Sequence, residues 1–280
     1  RYNDWWLYKV PFLLTIAYST FYLADICVEN KTLEIIKIIT YIVSAAIYVS
    51  IINDITDMKI DRLVGKKNLF LGLPKSIVYT ILSLAVILQL IVIYTLLVTY
   101  INSITLAPLA INWTLIIFIW SFSYGLRGII YHQYKDKEND LYSGILTLSN
   151  SLPIKKLKRL VLLVFVMELG SFIYLLQILN SHIIYKWLTF YSLIIIVRTL
   201  IYSSKIIIAL PSSKFYQILL AEFYEVFLPI SLLLSFTNCD NIWLVIICQL
   251  LLFPKRIITI YNECIGYCKR LVFFLCKARI

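Results

Sequence analysis

Stretches of about 20 consecutive apolar residues, the length that crosses a hydrocarbon core of roughly 30 Å at 1.5 Å per residue, recur along this entire chain. We count eight, approximately Val10 to Cys27, Leu33 to Asn53, Ile77 to Tyr100, Leu106 to Tyr124, Leu160 to Leu179, Trp187 to Lys205, Tyr216 to Phe236 and Ile242 to Ile260. In hydrocarbon every backbone N–H and C=O must be satisfied within the segment, so such stretches fold as helices. The expectation is an all-α polytopic membrane bundle of about eight transmembrane helices, range seven to nine, forming a single domain over residues 1–280. Composition agrees: 61% of the residues are hydrophobic, 15% charged, and the mean hydropathy is +0.87.

The polar residues show which ends lie together. Alternating the loops puts 23 of the 26 Lys and Arg residues on one side, with only Lys31, Lys37 and Lys186 opposite. An excess of that kind marks the cytoplasmic side. Both termini and the two long charged connections, about 54–76 and 125–159, are therefore expected to be cytoplasmic. The net charge of +11 reads as topology signal and attraction to anionic membrane lipid, not as nucleic-acid binding. No small-residue cleavage site follows an isolated short apolar stretch, so the first apolar window is expected to stay as a helix. Residues 262–280 are basic and apolar, and read as an interfacial tail on the inner leaflet or as a frayed end. The six cysteines carry no metal or redox signature. Cys248 fills an apolar helix, Cys264, Cys268 and Cys276 are open to acylation, and Cys27 could meet Cys239 on the outer side.

Two acid clusters close inward-running helices. In NDITDMKID, residues Asn53, Asp54, Asp57 and Asp61 stand at about 0°, 100°, 40° and 80° around a continued helix, a ladder of oxygens on one face. In DKENDLYSG, Asp136 and Asp140 lie one turn apart beside Asn139. Both clusters sit near C-terminal helix ends, where the macrodipole is already negative, so a cation must compensate. Hard oxygen ligands without neighbouring cysteine select Mg²⁺, with Ca²⁺ or Mn²⁺ as alternatives, over zinc. Magnesium is usually shared with substrate phosphate, and the partner implied is a diphosphate. Each cluster alone also fits a solvated charged loop.

These residues resemble the UbiA superfamily of intramembrane prenyltransferases. The family's NDxxDxxxD motif is matched at each fixed position by Asn53, Asp54, Asp57 and Asp61. Its second motif, DxxxD followed by Gly and Thr, is matched by Asp136, Asp140, Gly144 and Thr147. The resemblance covers roughly residues 35–150. It implies that Asn53, Asp54, Asp57, Asp61, Asp136 and Asp140 hold Mg²⁺ against an allylic prenyl diphosphate. The diphosphate ionises to an allyl cation that alkylates a lipophilic acceptor, Asp54, Asp57, Asp136 and Asp140 carrying the catalysis. Two departures stand out. The family usually has nine transmembrane helices, about four between the motifs, where this chain has only two and the motif segment. Where the family has an Arg-Pro sequence this chain reads VGKKNLFLGLPKS, so Lys66 and Lys67 would take the diphosphate.

Arg127 is expected either to contact the diphosphate or to anchor the inner surface, and His132 and Gln133 to touch acceptor or metal-bound water. Glu168, Arg198, Glu222 and Glu225 fall inside apolar helices, where an unpaired charge costs at least about 2.5 kcal/mol, so they should face the interior. Glu222 and Glu225 share a face, so one could pair with Arg198. Two other functions use the same acids: a membrane terpene cyclase of the same superfamily, in which the cation closes on its own alkene, and a divalent metal-ion transporter.

Overall fold

The computed structural model of the protein describes residues 10–23, 25–28, 32–40, 42–44, 46–47, 51, 73–101, 107–142, 144, 147–212, 215–237, 239–254, 258, 260–263, 265–266 and 269. Beyond a helical stretch at 32–40, the elements are α1 (Val10–Leu23), α2 (Lys75–Ile101), α3 (Ala107–Lys135), α4 (Lys137–Tyr142), α5 (Leu148–Ser151), α6 (Ile154–Leu179), α7 (His182–Tyr202), β1 (Lys205–Ile207), β2 (Tyr216–Ile218), a π-helical stretch Phe223–Phe227, α8 (Leu228–Ser235) and α9 (Ile242–Leu252). The chain is mostly helical, as its composition requires. Among the described residues three helices are long and apolar enough to cross a membrane: Leu115–Lys135, Ile154–Leu179 and His182–Ile201.

The helix α6 shows why these segments form. Pro153 sits ahead of its first turn, where a missing N–H costs nothing, and Asn180 ends it at φ 43°, a left-handed conformation that asparagine tolerates. Its buried face, Leu157, Val161, Val164, Glu168, Ser171, Phe172 and Leu175, follows the helical period. The opposite face is also apolar, with Leu162, Leu163, Val166, Met167 and Ile173 exposed. A helix apolar on both sides suits a lipid environment.

Helix α3 packs along α6, while α8 packs between α1 and α7. Their buried side chains make one aromatic-rich core, including Phe12, Trp120, Tyr124, Phe172, Tyr191, Phe223 and Tyr224. At one end of the bundle Cys27, after α1, is disulfide-bonded to Cys239, after α8, and Ser181 hydrogen-bonds Ser235 at 2.7 Å. The outer pairing of Cys27 with Cys239, one of several fates open to these cysteines in the sequence, is therefore the one observed.

Several expected boundaries are corrected. The fourth apolar window does not end at Tyr124: α3 runs on to Lys135, because Arg127 finds a buried partner and need not terminate the helix. The window expected from Tyr216 begins instead as a strand. Residues 205–207 and 216–218 pair in parallel, Lys205 with Tyr216 and Ile207 with Ile218, and helix resumes only at 221. So short a parallel ladder is held by its neighbours. Arg127 Nη1 donates to the Ile208 carbonyl at 2.8 Å, Ala209 is fully buried, and the Tyr131 and Tyr216 hydroxyls lie 2.7 Å apart.

The π-helical stretch follows from Pro229. The Leu228 N–H bonds the Phe223 carbonyl, one residue farther than in an α-helix. The next such bond would need an N–H from residue 229, which proline lacks. Tyr224 C=O is left to a side chain: the Thr15 hydroxyl on α1 reaches it at 3.1 Å, shared with the Pro11 carbonyl at 2.9 Å.

Candidate functional site

The second acid motif is built at the end of α3. Asp136 follows the helix and its N–H bonds the His132 carbonyl at 3.0 Å. The Asp140 N–H bonds the Asp136 carbonyl at 2.9 Å, which sets the two acids one helical turn apart at the start of α4. Asp136 is exposed and Asp140 half-buried. Gly144 has φ +69°, a left-handed turn that favours glycine, and it redirects the chain toward α5. There the Thr147 N–H donates to Asn150 Oδ1 at 2.8 Å, and the Ser149 hydroxyl donates to the Gln133 carbonyl at 2.8 Å, tying α5 back onto α3. Gly144 and Thr147 of the motif thus shape the loop that carries its acids.

Gln133 adds a side-chain observation. Its Oε1 is buried without a hydrogen-bond partner, one turn before Asp136. An acceptor-only oxygen in that position fits a donor such as a metal-bound water, and the oxygen donor set of Asp136 and Asp140 fits Mg²⁺. His132 is exposed, its ring edge-on to Tyr131 at 5.3 Å. Asn53, Asp54, Asp57, Asp61, Lys66 and Lys67 lie outside the described residues. Among the described residues no three His, Cys, Asp or Glu side chains converge as a metal cluster.

Arg127 differs from both expectations for it. It is 2% exposed, so it is no surface anchor. Its Nε and Nη2 make 2.6 Å hydrogen bonds to the two oxygens of Glu168, and its Nη1 holds the Ile208 carbonyl. A guanidinium committed in this way is a structural partner for a buried carboxylate, not a diphosphate clamp. The guanidinium also lies 5.5 Å from the Tyr124 ring centroid and 5.6 Å from that of Phe165, within cation–π range.

The other charges inside the apolar helices face inward and are partnered. Arg198 on α7 bonds Glu222 and also Glu263, from the C-terminal segment. The expected pairing of Arg198 with one of Glu222 and Glu225 holds, and Glu222 is the partner. Glu225, on the π-helical stretch, accepts a 2.6 Å hydrogen bond from the Tyr124 hydroxyl. Residues 262–263 are thus joined to the bundle through Glu263.

The sequence reading missed the aromatic members of this interior. Trp120, Tyr124 and Arg127 stand at i, i+4 and i+7 on one face of α3, which was the available signal. Trp120 and Tyr224 meet edge to face at 5.1 Å, and both stack around Phe172. The Trp120 Nε1 and the Tyr224 hydroxyl are buried without a hydrogen-bond partner. Each such orphan costs about 1–3 kcal/mol. No family model, curated protein or solved structure matches this chain.

Proposed function

We propose that the protein is a Mg²⁺-dependent intramembrane prenyltransferase that moves a prenyl group from an allylic polyprenyl diphosphate to a lipophilic acceptor. The observation that carries this reading is the pair of motifs, NDxxDxxxD at 53–61 and DxxxD at 136–140 with Gly144 and Thr147 behind it. In support, Asp136 and Asp140 stand one turn apart with a buried, donor-seeking Gln133 oxygen beside them. The proposal includes a UbiA-like fold of about eight transmembrane helices. It also places the termini and the acids on the cytoplasmic face, in keeping with the Lys/Arg distribution and with a disulfide at the opposite end, since disulfides persist in oxidising compartments.

In this reading Asn53, Asp54, Asp57, Asp61, Asp136 and Asp140 hold the metal, and Lys66 and Lys67 take the diphosphate oxygens. The metal, when bound, supplies charge neutralisation for the departing pyrophosphate. The bond from C1 of the allyl group to oxygen breaks and its electron pair leaves with pyrophosphate. A new bond forms from the acceptor nucleophile to C1, and the acceptor gives up a proton. The same acids would also serve a cyclase, which needs no acceptor.

The test is incubation of purified protein with a panel of radiolabelled allylic diphosphates, Mg²⁺ and membrane-lipid extract. Label should move into an apolar product and pyrophosphate should appear, with Asp54→Ala and Asp136→Ala losing at least about 100-fold in rate, or ~2.7 kcal/mol of barrier. Hydrocarbon or terpene alcohol formed without extract would identify the cyclase. Label remaining on diphosphate with every donor would refute both, and metal flux without turnover would favour a transporter.

A further inference from the structure

The interior of the bundle holds a polar corner that neither the acid motifs nor the proposed reaction uses. It lies between α3, α6 and the π-helical stretch. Trp120 and Tyr224 are both fully buried, and the Nε1–H of one and the O–H of the other have no hydrogen-bond partner. Glu168 stands close enough to Tyr224 for its charge to act on that hydroxyl, and Arg127 holds the carboxylate from the other side. The walls are apolar and aromatic: Phe12, Phe172 and Phe223.

An indole N–H can only donate, and a buried tyrosine hydroxyl ordinarily finds a partner. Two unsatisfied donors beside a carboxylate are the complement of one particular group: a hydroxyl oxygen that accepts from Trp120 and Tyr224 and donates to Glu168. A few convergent polar groups within an apolar lining are also the usual anatomy of a small-molecule site. The residue between the walls and the donors is Tyr224 itself, carried on a π-helical stretch, an irregularity that recurs at functional sites. Trp120 lies sixteen residues before Asp136 along α3, roughly 24 Å of helix rise, so the corner is separate from the acids.

We propose that the corner formed by Trp120, Tyr224 and Glu168 binds the hydroxyl of an apolar alcohol or phenol that partitions from the membrane. The alcohol's carbon skeleton lies against Phe12, Phe172 and Phe223. Water offers the same hydroxyl chemistry but no apolar body, so a matched pair of probes separates the two sources. Wild-type protein in lipid nanodiscs is titrated with radiolabelled 4-octylphenol and with its methyl ether, no diphosphate being present. The phenol should bind at least about tenfold tighter than the ether. Trp120→Phe and Tyr224→Phe, which keep the aromatic packing, should each remove most of that preference and leave ether binding unchanged. Equal binding of phenol and ether to the wild type overturns the proposal without recourse to any variant, and means that the corner takes water only. Full preference retained in both variants overturns it as well. Because the titration needs no turnover, its outcome is independent of the prenyl-transfer reading.

Discussion

Glu168 and Arg127 illustrate what an ion pair does inside an apolar bundle. Neither side chain reaches solvent, and each is neutralised only by the other. Removing one partner from such a pair costs about 3–5 kcal/mol, whereas replacing both by apolar residues is often neutral or better. Glu168→Ala should therefore lower the thermal midpoint of the detergent-solubilised protein sharply, while the double variant Arg127→Met, Glu168→Leu should recover most of the loss. Additive losses in the double variant would show that the two residues do not act as a pair. That Glu168, Arg198, Glu222 and Glu225 face inward was legible in the sequence, because lipid excludes unpaired charge. Arg127's partner was not, since Glu168 is 41 positions away and no local spacing connects them.

Elements were legible in proportion to their length. The apolar runs that became α6 and α7 are long, and only a helix can satisfy their backbone. The run from Tyr216 was ambiguous: Tyr-Gln-Ile alternates as a strand does, and it pairs with Lys205–Ile207, while the helix proper waits for residue 221. Pro229 sits in the same run, and its effect on the register of the preceding turn depends on Thr15, a residue of another helix. Thr15→Val should destabilise the protein by about 1 kcal/mol, as the Tyr224 carbonyl loses its donor. Pro229→Ala restores an N–H and should let the stretch 223–227 return toward α geometry, relieving dependence on Thr15. The check is whether Thr15→Val costs less in the Pro229→Ala background. The second acid motif was legible as a pair of carboxylates one turn apart, but the contribution of Gln133, through an oxygen lacking a donor, emerges only from the packing of α5 against α3.

For the whole molecule, the opposition of ends is the main result. The disulfide and the Ser181–Ser235 contact mark one end, and Asp136, Asp140 and the short sheet mark the other. With the remaining cysteines replaced, a membrane-impermeant maleimide applied to intact cells should label Cys27 and Cys239 only after reduction. A cysteine placed at Tyr142, which is 95% exposed, should label only once the cells are opened. Labelling of both from one side would refute the arrangement. Loss of the disulfide in Cys27→Ser should cost about 2–5 kcal/mol.

The clasp between Cys27 and Cys239 spans a sequence separation of 212. During synthesis the first thiol emerges long before its mate, so it must be shielded from wrong partners while most of the chain is still being threaded. Nascent chains released short of position 239 would carry that thiol without its mate. They should be recoverable as mixed adducts with the exchange enzymes of their compartment, a tally of biogenesis readable on a non-reducing gel.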